Sequence, residues 1–366
     1  MSNLLRRSMR VRLLVLLPFA LVLLTPPAIF AQSPEALAEA GHWKRVRAIV
    51  EPRVKTNPND AQALWLLARV KEAFGDREGA LPLAERAVAL DGRNANYHVQ
   101  HAGLCGSLAQ TAGLFRQLSL GKRVKSELEA ALAIDPKNLD ALRGLMEFLW
   151  QAPGLFGGDK DKARQMAQRI GQIDSARGYL AQAQIANWEK QTAKVEDLYR
   201  KAVEADPRSH PTQVTLANFY ASQSPPKYDL AERHARAALS IAPDRVSGYN
   251  VLARIYARQQ RFADLETLLA DAERNVPDNP SPFLSAANGL LTDGKDLPRA
   301  ESYVRKYLAQ EREGFNTTQG VARWRLALVL EREGRRQEAM AEAEKAARME
   351  PKREDIAKDV ARMRGK

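Results

Sequence analysis

His98, His101 and Cys105 are the residues whose types and spacing come nearest to metal chemistry. Steps of three and four residues put all three on one helix face, and imidazole with thiolate suits zinc or copper. The same slots are the ones a helix turns toward its packing partner. Buried packing around one hydrogen-bonded histidine therefore explains them better, and no metal and no cofactor is expected. The chain contains no GxxxxGK[ST], no GxSxG and no HExxH. Lys122 follows Gly121, but Arg116 stands where a phosphate-cradling loop needs glycine. Carboxylates are abundant, yet they fall mainly on outward helix positions or in caps. The chain reads as not an enzyme.

The elements that would position any binding residue are clearest between Val246 and Pro277. Tyr249, Leu252, Ala253 and Tyr256 stand on one stripe of a first helix. Leu265, Leu269 and Ala272 line a second. Small residues let the two helices lie close, and Pro277 stops the second because it has no N–H and clashes with the preceding turn. The same grammar recurs along most of the chain. Ala80, Ala84 and Ala87 carry it early; Leu216, Ala217 and Tyr220 carry it in the middle; Leu326, Ala327 and Leu330 carry it late. Two insertions interrupt the pattern, one over Thr111 to Leu120 and one over Ala152 to Lys160.

This pattern resembles the tetratricopeptide repeat, W-x2-L-G-x2-Y, then A-x3-F, then a closing proline, in a period of about 34 residues. The resemblance implies an all-α fold: a right-handed α-solenoid of about eight helix-pair repeats plus a terminal cap helix. It would occupy residues 32–366, with a truncated first unit at 34–58, repeats over 61–352 and a cap helix at 353–366. It also implies an inner groove, lined by the first helices, that binds peptides or partner proteins. Carried onto this sequence, the groove-facing slots are Trp65, Arg69, Arg143, Glu147, Trp150, Asn187, Trp188, Asn218, Asn250 and Arg254, with Gln184, Asn288 and Trp324 beside them. Aromatic and arginine side chains are common interface anchors, and asparagine can grip a peptide backbone through both donor and acceptor. Asn218 matches one residue of the carboxylate-clamp subtype. Ser281 and Ser285 replace its basic residues, so capture of a free carboxyl terminus is not expected. The 152–160 insertion looks like a turn in the periplasmic T components of TRAP-type transporters. That likeness implies an alternative role as a small-molecule or lipid-binding component docking to a transporter.

Residues 1–31 read as a signal peptide. Arg6, Arg7, Arg10 and Arg12 precede a leucine-rich run from Leu13 to Leu24, and Ile29-Phe30-Ala31 offers small-residue cleavage. The apolar run is short of the ~20 residues that span a bilayer. Its removal takes four arginines and no acid from the net charge of +12, leaving +8. A periplasmic or secreted location follows, and export argues against nucleic acid as a partner despite the basic balance. With Cys105 alone, no intrachain disulfide can form. The expectation is a scaffold or adaptor in the bacterial cell envelope. It would bind protein partners there and touch the membrane only through its signal peptide or a partner.

Overall fold

Asp60, Asn94, Asn138 and Asp174 each stand one residue ahead of a helix and accept a backbone N–H of its first turn. Such side chains satisfy donors that have no partner inside the helix. In a computed structural model that describes residues 32–365, these caps open the first helices of successive helix pairs. The expected signal peptide lies outside the described residues.

The pairs are α1 (Pro34–Ala40) with α2 (Trp43–Thr56), α3 (Ala61–Ala73) with α4 (Arg77–Leu90), and α5 (Ala95–Ala109) with α6 (Leu114–Ile134). Then come α7 (Leu139–Gln151) with α8 (Lys160–Ile173), α9 (Ser175–Trp188) with α10 (Thr192–Ala205), and α11 (His210–Ala221) with α12 (Tyr228–Ile241). The last are α13 (Val246–Arg258) with α14 (Phe262–Asn275), α15 (Ser281–Asp293) with α16 (Leu297–Leu308), and α17 (Gln319–Arg332) with α18 (Arg336–Met349). Helix α19 (Glu354–Arg364) follows alone. No strand occurs among the described residues. The chain is an all-α solenoid.

The alanine register does the close packing. Ala253, Ala217, Ala287 and Ala327 are fully buried on the odd-numbered helices, as are Ala80, Ala235 and Ala343 on the even-numbered ones. Leu252, Tyr256, Leu265 and Leu269 fill the joint around Ala253. Each such side chain contributes about 2 kcal/mol by leaving water. An even-numbered helix packs on the odd helix of its own pair and on the next odd helix, whereas several odd helices also pack on one another. The array therefore curves toward the odd row. On the even row, Lys227–Glu196 at 2.9 Å, Arg261–Glu232 at 2.5 Å, Arg299–Glu266 and Arg335–Glu301 at 2.6 Å tie each helix to its predecessor. Partly exposed pairs of this kind add little each.

The first insertion is mostly helix. From Leu114 onward it extends α6 to 21 residues, against 14 for α8 or α10. The second holds a single 3-10 turn, Gly154–Phe156.

The array also touches itself far along the chain. Trp43 meets Phe315 edge-on with ring centroids 5.6 Å apart. The Lys44 backbone N–H donates to Glu313 Oε1 at 2.8 Å, and its ammonium donates to the Asp278 carbonyl at 2.7 Å. Arg47 donates twice to Glu311, at 3.1 and 2.6 Å. Arg312 binds the carbonyls of Gly314 and Asn316 and reaches the carbonyl of Phe74. A Cβ on Gly314, whose φ is +48°, would fall 2.0 Å from the Trp43 ring, so only glycine lets that ring seat. The start of α2 and the end of α3 thus dock on the loops before α15 and α17.

Candidate functional site

The odd row carries two groups of polar and aromatic side chains. In the first, the Trp150 and Trp188 rings stack with centroids 5.3 Å apart and planes 19° from parallel. The Lys160 ammonium lies 5.0 Å from the Trp150 ring and the Arg164 guanidinium 5.4 Å. Beside them Glu147 joins α7 to α9 within the odd row, accepting from Arg143 of its own helix at 3.4 Å and from Gln184 of α9 at 3.1 Å. Asn187 donates to the Tyr199 hydroxyl at 3.2 Å.

The second group surrounds a cavity of about 610 Å³ between α11 and α13, reached also by Tyr199 of α10 and Tyr228 of α12. Asn218 and Phe219 come from α11, Arg254 and Arg258 from α13. Arg254 and Arg258 are four residues apart and share a stripe. Arg254 donates to Asn218 Oδ1 at 3.0 Å, and Asn218 donates to the Val214 carbonyl at 3.1 Å. Burial pulls the Arg254 guanidinium below its usual range. Arg258 donates to Asp293 at 3.3 Å, while its Nε is buried with no partner. No carboxylate lines this cavity. It offers guanidinium and amide donors beside aromatic faces, which suits a carboxylate or the carbonyls of an extended segment.

The structure brings Asn218 and Arg254 together, and it brings Arg143, Glu147, Trp150 and Trp188 into one neighbourhood. Asn187, bonded to Tyr199 of the cavity, stands between these two groups, and the remaining residues lie apart from both. Trp65 tilts against Tyr97 at 5.6 Å, with its Nε1 buried and unpaired, and Arg69 lies over Trp65 and Trp43 near the self-contact. Asn250 accepts from Ser281 at 3.0 Å, bridging α13 to α15. Trp324 faces no groove. It is buried in the joint with α19, donating to Asp359 at 2.9 Å.

The sequence pattern passes over Arg258, Tyr199, Phe219 and Tyr228. The four-residue step from Arg254 to Arg258 was the available signal.

The histidine pair packs around an acid. His98 Nδ1 lies 2.6 Å from Glu127 Oε2 and its Nε2 lies 3.1 Å from the Gly92 carbonyl. His101 Nδ1 lies 3.3 Å from the other Glu127 oxygen. Burial pushes the Cys105 thiol up to about 11 and lowers the His101 pKa. Among the described residues no group of three or more His, Cys, Asp or Glu could hold a metal ion.

Residues 321–353 match the tetratricopeptide repeat family. No curated protein matches the chain in sequence. Among solved structures, yeast Tom70 is similar at 16% identity and a TM-score of 0.48, over 90% of this chain and 79% of that one. TTC0263, a thermophilic TPR protein of Thermus thermophilus, is similar at 21% identity and a TM-score of 0.43, over 56% of this chain and 95% of that one.

Proposed function

We propose that the chain is a non-catalytic tetratricopeptide scaffold or adaptor of the bacterial cell envelope, binding a segment of a partner protein along the odd row. The observation that carries this reading is the cavity where Asn218, Arg254 and Arg258 meet Phe219, Tyr199 and Tyr228. A preformed row costs little ordering on its own side, so a partner segment spends its binding energy on contacts. The alternative, a small-molecule or lipid carrier docking to a transporter, would need the two insertions to close over a pocket. Phe115 and Leu155 instead stand 88% exposed.

The test is cross-linking and affinity capture from intact cell envelopes, comparing the wild type with an Arg254→Ala, Arg258→Ala double variant. A protein held by the wild type and lost by the variant, with helicity unchanged, supports the reading. Equal capture by both removes this cavity from the site. A co-purifying small molecule in place of a protein would favour the alternative.

A further inference from the structure

Over its first thirteen residues, 114–126, helix α6 has no fully buried side chain: Leu118, Leu120, Gly121, Val124 and Lys125 are half-buried and the rest exposed, and its buried residues begin at Glu127. Phe115, Leu118, Lys122 and Lys125 stand at i, i+3, i+7 and i+10, so they form one stripe along the helix. The stripe starts apolar at the tip and ends basic, about 15 Å lower at 1.5 Å per residue. Phe115 is 88% exposed and Leu114 63%. At the base, Lys125 lies beside Gly157, so the 3-10 turn of the second insertion sits against α6. That turn is firmly built. Gly158 donates to the Pro153 carbonyl at 3.1 Å and Asp159 to the Leu149 carbonyl at 2.7 Å. A Cβ on Gly158 would fall 1.7 Å from the Ala152 carbonyl oxygen. The result is a fixed turn that holds Leu155 out, 88% exposed, with Phe156 beside it.

Charge decides what such a surface fits. Residues 111–126 carry Arg116, Lys122, Arg123 and Lys125 and no acid. Carboxylates from outside that stretch meet three of them: Glu78 pairs with Arg116 at 2.6 Å, Glu127 with Arg123 at 3.5 Å and Glu129 with Lys125 at 3.8 Å. This leaves the exposed Lys122 as the cation of the stripe most open to a phosphate. Around the 3-10 turn, Asp159 and Asp161 are outnumbered by Lys160, Lys162 and Arg164. A second copy of the chain pairing through this face would set the basic stripe against itself, which repels. Apolar tips above a basic base match a bilayer whose headgroups are negative: rings and leucines enter the acyl boundary, and ammonium groups meet phosphates.

We propose that α6 and the 3-10 turn form a docking face for an anionic lipid surface, with Phe115 and Leu155 as the inserting side chains. This contact is direct, beyond any made through a leader or a partner, and it is independent of what the odd row binds.

The test is sedimentation of the full-length chain with vesicles of phosphatidylglycerol and phosphatidylcholine, against vesicles of phosphatidylcholine alone. Two variants accompany it, Phe115→Ser with Leu155→Ser, and Arg116→Glu with Lys122→Glu. All four positions are exposed, and circular dichroism checks the fold. Any binding through residues 1–31 is common to all three proteins. Salt-sensitive binding to the anionic vesicles, weakened about tenfold or more in both variants, is the expected result. Equal binding by wild type and variants overturns the proposal, as does equal binding to neutral and anionic vesicles. A wild-type mass that doubles with concentration and returns to monomer in the serine variant, with vesicle binding unchanged, assigns the face to self-association and also overturns it.

Discussion

Replacing Glu313 by glutamine should remove most of the pH dependence of the long-range self-contact. The Glu313 side chain is 1% exposed, one oxygen accepts the Lys44 N–H, and the other has no hydrogen-bond partner, with the Lys44 ammonium 3.7 Å away. Burial pushes its carboxyl from 4.5 up to about 7; Lys44 opposes this and Asp278 adds to it. The folded contact thus holds a proton more tightly than the opened one. Its contribution is fully present below pH 4.5 and is lost as pH rises through 7. At about 1.4 kcal/mol per pH unit the loss is roughly 3 kcal/mol, or about a hundredfold in the opening equilibrium. Glutamine keeps the shape and can still accept from Lys44. Burial lowers the pKa of neighbouring His42, which acts in the opposite sense below 6.5, but His42 is common to both proteins and cancels. The assay is amide hydrogen exchange of α2 between pH 5 and pH 8, wild type divided by variant, so that the intrinsic exchange rate also cancels. The ratio should rise about a hundredfold across that range. A flat ratio, or a wild type better protected at pH 8, would refute the assignment of a buried, proton-holding carboxyl to this contact.

Three further outcomes are expected. Ala253→Trp should lower stability by about 3 kcal/mol, because Ala253 has no exposed surface and Leu252, Tyr256 and Leu265 enclose it; unchanged thermal unfolding would show the register is wrong. Glu127→Ala should cost about 3 kcal/mol in urea unfolding, since it leaves His98 and His101 facing a void; a neutral effect would contradict the packing role of this acid. Cys105, buried and with its thiol pushed up to about 11, should resist alkylation at pH 8 until urea exposes it. Reaction in the native protein at the speed of a free thiol would refute that burial.

The helix pairs were legible because their cause is local. Tyr249, Leu252, Ala253 and Tyr256 repeat at helical spacing and Pro277 ends the unit, and the structure buries all four of those side chains in one joint. The insertion at 111–120 was misplaced as a separate segment because nothing local marks its junction with α6; from Leu114 it is simply more helix. Glu127 was missed as the partner of His98 because the two are 29 residues apart on different helices. Trp324 was assigned to the groove by slot, but α19 covers it, and a slot rule knows nothing of a cap. The self-contact was wholly illegible. Lys44 and Glu313 are 269 residues apart, and their meeting depends on small rotations accumulated over many pairs. Even the pair α15 with α16, which has no closing proline and runs on into the 309–318 loop that receives Trp43, gives no hint of what that loop meets.

In an array stabilised only by neighbours, each end has half the contacts of the middle and frays first. The first pair here is poorly equipped to resist that, since α1 has only 7 residues and α2 begins without a side-chain cap. Its compensation is the second set of contacts. Glu313 accepts the Lys44 N–H in place of a cap, Asp278 receives Lys44 and Arg45, and Phe315 covers the Trp43 ring. The far end is finished differently. Helix α19 buries Ile356 and Val360 and leaves Glu354, Asp355, Arg362 and Arg364 at the surface. The first pair is therefore stabilised by its return to the array, whereas α19 presents a charged outer face to water. Only the first also fixes a distance between pairs far apart in sequence, and so limits how far the odd row between them can flex.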